Sequence, residues 1–187
     1  GTTKKLPFTE DDPAVAPESP YGATKRAGEL YCWNWHKLHG LTVACLRFFT
    51  VYGPRQRPDM AIHKFTRLID RGEEVPVFGD GTMRRDFTYV EDVVDGIVGC
   101  LKLESGYHDF NLGESRTIEL SEMIATLERA LGKSARRKHL PEQPGDVPIT
   151  YADVSRARAA LGYAPKWAFE DGIREWVKWY REAKPLL

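Results

Sequence analysis

The spacing of apolar residues changes along the chain, and each change marks an element. Between residues 20 and 39 they recur at helical intervals: Ala23, Ala27, Leu30 and Tyr31 form one stripe, and Trp33, Trp35 and Leu38 widen it. Ser19 stands ready as N-cap, Pro20 at the favoured first position and Gly40 as a left-handed stop. The pattern predicts a helix over 20–39, apolar on several faces and therefore buried on more than one side, against a core, another subunit or both. "LTVACLRFFTVYG" (41–53) is a nearly continuous apolar run and predicts a buried parallel strand. A helix, a glycine and a buried strand make half of a βαβ repeat.

Farther along, Ile62, Phe65, Leu68 and Ile69 predict a helix over 61–73, after the polar loop "GPRQRPDM" (53–60). "VPVFGDG" (75–81), "RRDFTYV" (84–90) and "HDFNLG" (108–113) read as strands and turns. "EDVVDGIVGCLKL" (91–103) reads as a helix whose acidic first turn suits the macrodipole. Beyond it come a short extended piece and helix in 117–132, a strand in "ARRKHLP", and a Pro/Gly-rich loop at 143–153. A short helix capped by Asp153 follows, then a final helix at 169–183 carrying Ile173, Trp176, Val177 and Tyr180. Residues 1–18 read as an extended loop. Alternation of strand and helix through about residue 113 makes the class α/β. The less regular remainder predicts a second lobe that shapes a pocket.

Composition narrows this picture. A chain of 187 residues suits one domain or a domain with a lobe, and 42% hydrophobic residues fit a globular core. Its 27 basic and 27 acidic residues give no reason to expect nucleic acid or a membrane surface as partner. The local basic run "RRKHL" (136–140) reads as a solvated strand edge. No apolar run approaches the roughly 18 residues of a membrane span, and "GTTKKLPFTEDD" is no signal peptide. Cys32, Cys45 and Cys100 are odd in number and form no CxxC, so a reducing cytoplasm is expected. His36 and His39 share a helical face, but no nearby Cys, Asp or Glu completes a metal set, and no metal is expected.

Candidate chemistry starts in "SPYGATKRAGELY" (19–31). Tyr21 and Lys25 stand one helical turn apart, which places their Cβ atoms about 5–6 Å from each other. A tyrosine is a poor base at neutral pH, but a nearby ammonium favours its phenolate. Such a phenolate can take a proton from a sugar hydroxyl while hydride leaves the same carbon. Two ordinary surface residues would show the same spacing.

The neighbouring motifs add a resemblance. "YGATKRAGE" resembles the YxxxK helix of the extended short-chain dehydrogenase/reductases. "LRFFTVYGPRQRPDMAI", "VPVFGDGTMRRDFTYVEDVVDGI" and "QPGDVPITYAD" resemble, in order and spacing, the sugar-nucleotide epimerase/dehydratase family. The likeness is greatest to UDP-glucuronate 4-epimerases and related UDP-hexose 4-epimerases. The resemblance implies that Tyr21 is the catalytic acid and base, and that Lys25 holds the nicotinamide ribose of NAD and tunes Tyr21. It implies that Phe48 and Val51 line the nicotinamide pocket, and that Thr50, where UDP-galactose epimerases usually carry Asn, turns its hydroxyl to the sugar. Met60 and Ala61 would offer backbone contacts to the nucleotide, Phe78 would pack beside the uracil, Arg85 would bind the diphosphate and Asp146 a ribose hydroxyl. Without the motif, Phe48, Val51 and Phe78 read as core, and Arg85 could be a solvated arginine. Arg57, in the polar tip "GPRQRPD", could pair with a substrate carboxylate and so favour a uronate.

Two departures qualify this. Gln143 stands where many hexose epimerases have a phosphate-binding arginine, a substitution common in glucuronate-type members. The chain also contains no GxxGxxG turn to cradle a dinucleotide pyrophosphate. The resemblance thus implies the C-terminal part of a Rossmann-like doubly wound parallel sheet plus a small α/β substrate-binding lobe. The N-terminal dinucleotide-binding half, with the triad Ser/Thr, would lie outside this chain. Residues 1–55 and 84–115 would belong to the Rossmann-like part, 56–83 and 116–187 to the lobe. The family further implies a UDP-sugar substrate and a homodimer through helix 20–39. A 4,6-dehydratase, a decarboxylase on the same scaffold, or an inactive nucleotide-binding module remain alternatives.

Overall fold

The computed structural model describes residues 5–141 and 147–184, so Gln143 and Asp146 lie outside the described residues. In chain order the elements are α1 (Pro20–His39), β1 (Val43–Phe48), β2 (Thr50–Tyr52), α2 (Ala61–Arg71), β3 (Glu74–Phe78), β4 (Arg84–Arg85), β5 (Phe87–Tyr89) and α3 (Val90–Cys100). They continue as β6 (Tyr107–Leu112), β7 (Ile118–Glu119), α4 (Leu120–Leu131), β8 (Arg136–Leu140), β9 (Ile149–Thr150), α5 (Ser155–Leu161) and α6 (Phe169–Ala183).

α1 begins and ends as the sequence dictates. Ser19 is extended and its hydroxyl accepts the Gly22 N–H at 3.0 Å, Pro20 opens the helix, and Gly40 closes it at φ 67°. The single strand expected over 41–53 is two strands. β1 runs parallel to β6, and β2 parallel to β5. The change of partner falls at Phe49, whose N–H donates to Leu112 O at 3.2 Å, while the Thr50 N–H donates to Asp86 O at 3.0 Å. Nor is its first half deeply buried, although Tyr52 in β2 is. Among the described residues β1 pairs only with β6, and no β1 residue is fully buried.

"RRDFTYV" also divides, at Asp86. β4 pairs antiparallel with β7 and parallel with β9, whereas β5 pairs with β2. The fully buried Asp86 carboxylate explains the break, because it accepts from four donors on three segments. These are Thr88 Oγ1 at 2.9 Å, Glu114 N at 2.8 Å, Ser115 N at 3.1 Å and Ala152 N at 3.1 Å. β3 and β8 make a further parallel pair, and the basic run on β8 is solvated as expected, with Glu74 pairing Arg136 and Lys138.

Two apolar clusters hold these strands. In the first, α2, α4 and α6 enclose Tyr52, Val75, Val77, Phe87 and Tyr89, and the predicted α6 stripe Ile173, Trp176, Val177 and Tyr180 is wholly buried there. Gly172 lets α6 close on the tyrosines: a Cβ at this position would stand 2.2 Å from the Tyr52 hydroxyl oxygen. The second cluster joins Val93 of α3, Phe110 and Leu112 of β6, Ala157 of α5 and Tyr163, with Leu46 and Val51 packed against it. The cap of α5 shifts by one residue from the expectation, yet Asp153 still accepts the Ser155 N–H at 2.8 Å.

Within this chain none of the residues of α1 is buried, and Tyr31 (70%), Trp35 (55%) and Leu38 (77%) stand exposed. The helix rests on β1 and on Tyr107 of β6, and this chain's own core does not cover its remaining apolar faces. α3 likewise exposes Val94, Ile97, Val98 and Leu101, an apolar stripe at helical spacing.

Candidate active site

The expected site residues fall into three groups. Tyr21 and Lys25 occupy the first two turns of α1, with the Lys25 Nζ 5.1 Å from the centroid of the Tyr21 ring. Tyr21 is 71% exposed, so its phenol is open to a ligand. Helix geometry alone creates this pair, while the rotation of α1 is set one turn later. The Glu29 carboxylate receives two hydrogen bonds from Arg47 of β1, at 2.7 and 2.9 Å, and a third from Arg26 at 2.8 Å. Those guanidinium contacts hold the Glu29 carboxyl below the usual carboxylate range.

The second group lies at the ends of β1 and β2. Phe48 is 51% exposed, which sets aside a purely core role. Val51 packs against the second apolar cluster and Thr50 is half-buried beside it. Among the described residues, no hydrogen bond or ion pair joins Tyr21 or Lys25 to Phe48, Thr50 or Val51.

The third group frames a cavity of about 330 Å³ between α2, β3, β4 and α4. Three residues singled out from the sequence line it together: Ala61, Phe78 and Arg85. Phe78 supplies an aromatic wall and Arg85 a cation, and Lys64 adds a second positive charge one turn beyond Ala61 on α2. Arg85 is steadied at the rim by Arg84 O at 3.0 Å and the Met83 sulfur at 3.6 Å. A hollow with an aromatic and thioether floor, rimmed by two cations, suits a flat base carrying a polyanion. Arg57 and Met60 stand just outside. Arg57 grips Asp59 through two bonds, at 3.2 and 3.0 Å, and it is Asp59 that lines the cavity. The Met60 N–H is already engaged by Arg57 O at 3.2 Å.

Sequence reading missed Lys64, Met83 and Met123. Lys64 carried a signal, its i+3 relation to Ala61; the methionines carried none until α4 folded over β4. It also missed a group of acids behind Asp86. Glu114 lies half-buried near Asp86 and Asp92, and burial, reinforced by Asp92, pushes its carboxyl up to about 7. Asp92 is buried and accepts the N–H groups of Lys166 and Trp167, each at 3.1 Å. Among the described residues no set of three His, Cys, Asp or Glu side chains could hold a metal ion. No helix there is long and apolar enough to cross a membrane.

An α/β fold with parallel strand pairs, a helix bearing tyrosine and lysine one turn apart, and a cation-rimmed aromatic cavity define a class. The chain belongs to the NAD dependent epimerase/dehydratase family, whose model matches residues 1–113, and its fold is Rossmann-like. Among particular relatives, an uncharacterized protein of Methanocaldococcus jannaschii is 46% identical over 187 residues, covering 100% of this chain and 57% of its own length. The UDP-glucuronate 4-epimerase of Thermodesulfobacterium geofontis is 42% identical over 182 residues, covering 97% of this chain and 56% of that protein. The crystal structure of UDP-glucuronic acid 4-epimerase from Bacillus cereus, in complex with UDP-glucuronic acid and NAD, superposes with a TM-score of 0.88 at 37% identity. That match covers 96% of this chain and 57% of the other. The chain therefore spans little more than half the length of these relatives.

Proposed function

We propose that this chain carries the proton-transfer pair and the nucleotide-sugar pocket of an NAD-dependent UDP-sugar 4-epimerase, with UDP-glucuronate as substrate. The observation that carries the reading is the cavity, because it gathers Ala61, Phe78 and Arg85 from three separate elements into one hollow of nucleotide character. The uracil ring lies against Phe78, with Ala61 at its edge, and Arg85 and Lys64 meet the diphosphate. Tyr21, held as a phenolate by the neighbouring Lys25 ammonium, takes the proton from the 4-hydroxyl of the sugar and later returns it. Thr50 presents its hydroxyl to the sugar. Gln143 and Asp146, outside the described residues, complete the substrate contacts in this reading.

The donor set also fits the nicotinamide end of NAD: an exposed phenol, an ammonium within 5.1 Å of its ring, and the exposed apolar ring of Phe48 beside Val51. NAD, when bound, accepts the C4 hydride and gives it back to the opposite face, so no net redox change occurs. Lys25 would hold the ribose hydroxyls, and Phe48 and Val51 would shield the ring from water. Specificity for a uronate rests on Arg57, which exchanges Asp59 for the sugar carboxylate. Residues 1–55 and 84–115 form the cofactor side and 56–83 and 116–187 the substrate lobe. The exposed apolar residues of α1 make the surface of a homodimer, and the protein works in the cytoplasm.

The test uses the protein that contains this chain, supplied with UDP-glucuronate and followed by proton NMR of the anomeric region. The 4-epimer accumulates with the native protein. With Tyr21→Phe, turnover falls by at least about 100-fold, the scale of a lost general acid–base group, while UDP binding persists. Native-like turnover by the variant removes Tyr21 from the mechanism. A 4-keto or decarboxylated product instead of the epimer assigns the scaffold to a dehydratase or decarboxylase.

A further inference from the structure

The contact line between α1 and β1 contains two thiols. On β1, Val43, Cys45 and Arg47 alternate onto one face. Arg47 reaches from that face to the Glu29 carboxylate of α1, so Cys45 also looks up at the helix. Tyr107, the register partner of Val43, donates its hydroxyl to Glu29 O at 3.4 Å and meets the Trp33 ring edge-on at 5.1 Å. Cys32 sits between those two helix contacts, three residues beyond Glu29 and one before Trp33, on the turn that lies over β1. The Cys45 thiol is accordingly within interaction range of both the Cys32 thiol and the Tyr107 hydroxyl. Both cysteines are free and half-buried, and Cys100 is occupied elsewhere, donating to Gly96 O at 3.3 Å inside α3.

We propose that Cys32 and Cys45 form a redox-responsive thiol pair that closes to a disulfide and rivets α1 to β1. The oxidant is a small disulfide of the oxidised-glutathione class. The Cys32 thiolate attacks one sulfur of that disulfide, the S–S bond breaks, and one small thiolate leaves. Cys45 then gives its proton to solvent and attacks the Cys32 sulfur, and the second small thiol departs. Two protein thiols thus lose two electrons and two protons, and one small disulfide becomes two thiols. The order follows from position: Cys32 lies on the exposed helix, whereas Cys45 lies on β1 beneath it, where burial pushes its thiol up and makes it the slower first attacker. In a reducing compartment such a bond is transient, formed under oxidative load and cleared afterwards.

The bond matters because, among the described residues, α1 has none that is buried and is held by the Glu29–Arg47 pair, the Tyr107 contacts and the His36–Leu41 carbonyl bond at 2.7 Å. A covalent link at Cys32 adds a fixed point between them, downstream of Tyr21 and Lys25.

The experiment equilibrates the purified protein with a series of reduced and oxidised glutathione ratios, quenches with acid, and counts free thiols. Peptide mapping under non-reducing conditions follows. The expected result is a loss of two free thiols per protein chain, one intramolecular Cys32–Cys45 peptide, and full recovery with dithiothreitol. Amide hydrogens of α1 exchange more slowly in the oxidised form, while those of α6 do not change. Cys32→Ser and Cys45→Ser each abolish the loss of two thiols. An unchanged thiol count, glutathione adducts that never resolve, pairing through Cys100, or links between chains would each overturn the proposal. The readout requires no turnover, so it stands apart from the fate of the epimerase reading.

Discussion

Glu114→Gln isolates one unfavourable charge without changing shape. The Glu114 carboxyl is pushed up to about 7 from an ordinary 4.5, first by burial, then by Asp92 and Asp86, with Arg116 opposing. A raised carboxyl favours the neutral form in the folded state. The native protein is therefore most relaxed at this site below about pH 4.5, and it loses stability as pH rises through about 7. At about 1.4 kcal/mol per unit, the shift corresponds to about 3 kcal/mol. Because the group is only half-buried, solvent screening reduces this to about 1–2 kcal/mol. Glutamine carries no charge at any pH, so the variant should gain that amount at about pH 8 and no more than a few tenths at about pH 5. Urea unfolding at the two pH values measures it, with unchanged slope confirming that the denatured state is the same. An equal effect at both pH values, or a loss at about pH 8, refutes the reasoning, since either would mean that the Glu114 carboxylate is stabilised where it stands.

Gly172→Ala should cost about 1–3 kcal/mol of stability by urea midpoint, because its Cβ would fall 2.2 Å from the Tyr52 hydroxyl oxygen and break the 3.2 Å bond from Tyr52 to Phe169 O. Trp176→Phe should lower stability by about 2–3 kcal/mol in the same assay, through the lost bond from Nε1 to Thr66 Oγ1 at 2.8 Å and the void left in the first cluster. Arg85→Ala should weaken UDP binding about 10- to 100-fold by calorimetry, the size of one charge-assisted contact. Unaltered affinity would show that UDP does not use this cavity.

Local chemistry was legible in the sequence where it depended on neighbours within one turn. Ser19, Pro20 and Gly40 bounded α1, and the spacing of Ile173, Trp176, Val177 and Tyr180 placed the inner face of α6, because both are properties of a few adjacent residues. The breaks at Phe49 and Asp86 were not legible. Each is decided by a distant partner, Leu112 O for one and the N–H groups of Glu114, Ser115 and Ala152 for the other. The same limit applies to the site. Motif order named Ala61, Phe78 and Arg85 one by one, but only the packing of α2 and α4 on β3 and β4 turns them into a single hollow. At α1 the apolar pattern predicted cover by a core, by another subunit or by both, and this chain's own core does not supply it, because an apolar stripe states that a surface can be covered and says nothing about what covers it.

That helix has a thermodynamic consequence for ligands. Within this chain the first apolar cluster is fully buried, whereas α1 is attached by polar and edge-on aromatic contacts, a kind of attachment that opens locally at lower cost than a buried core. Tyr21 and Lys25 therefore sit on a segment whose docked state is one member of an ensemble. A molecule that touches both α1 and the rest of the fold spends part of its binding energy selecting that member, and its apparent affinity falls in proportion to the docked fraction. Affinity for the sugar end of a ligand should thus respond to substitutions such as Arg47→Ala that never touch it, while affinity for the nucleotide end does not.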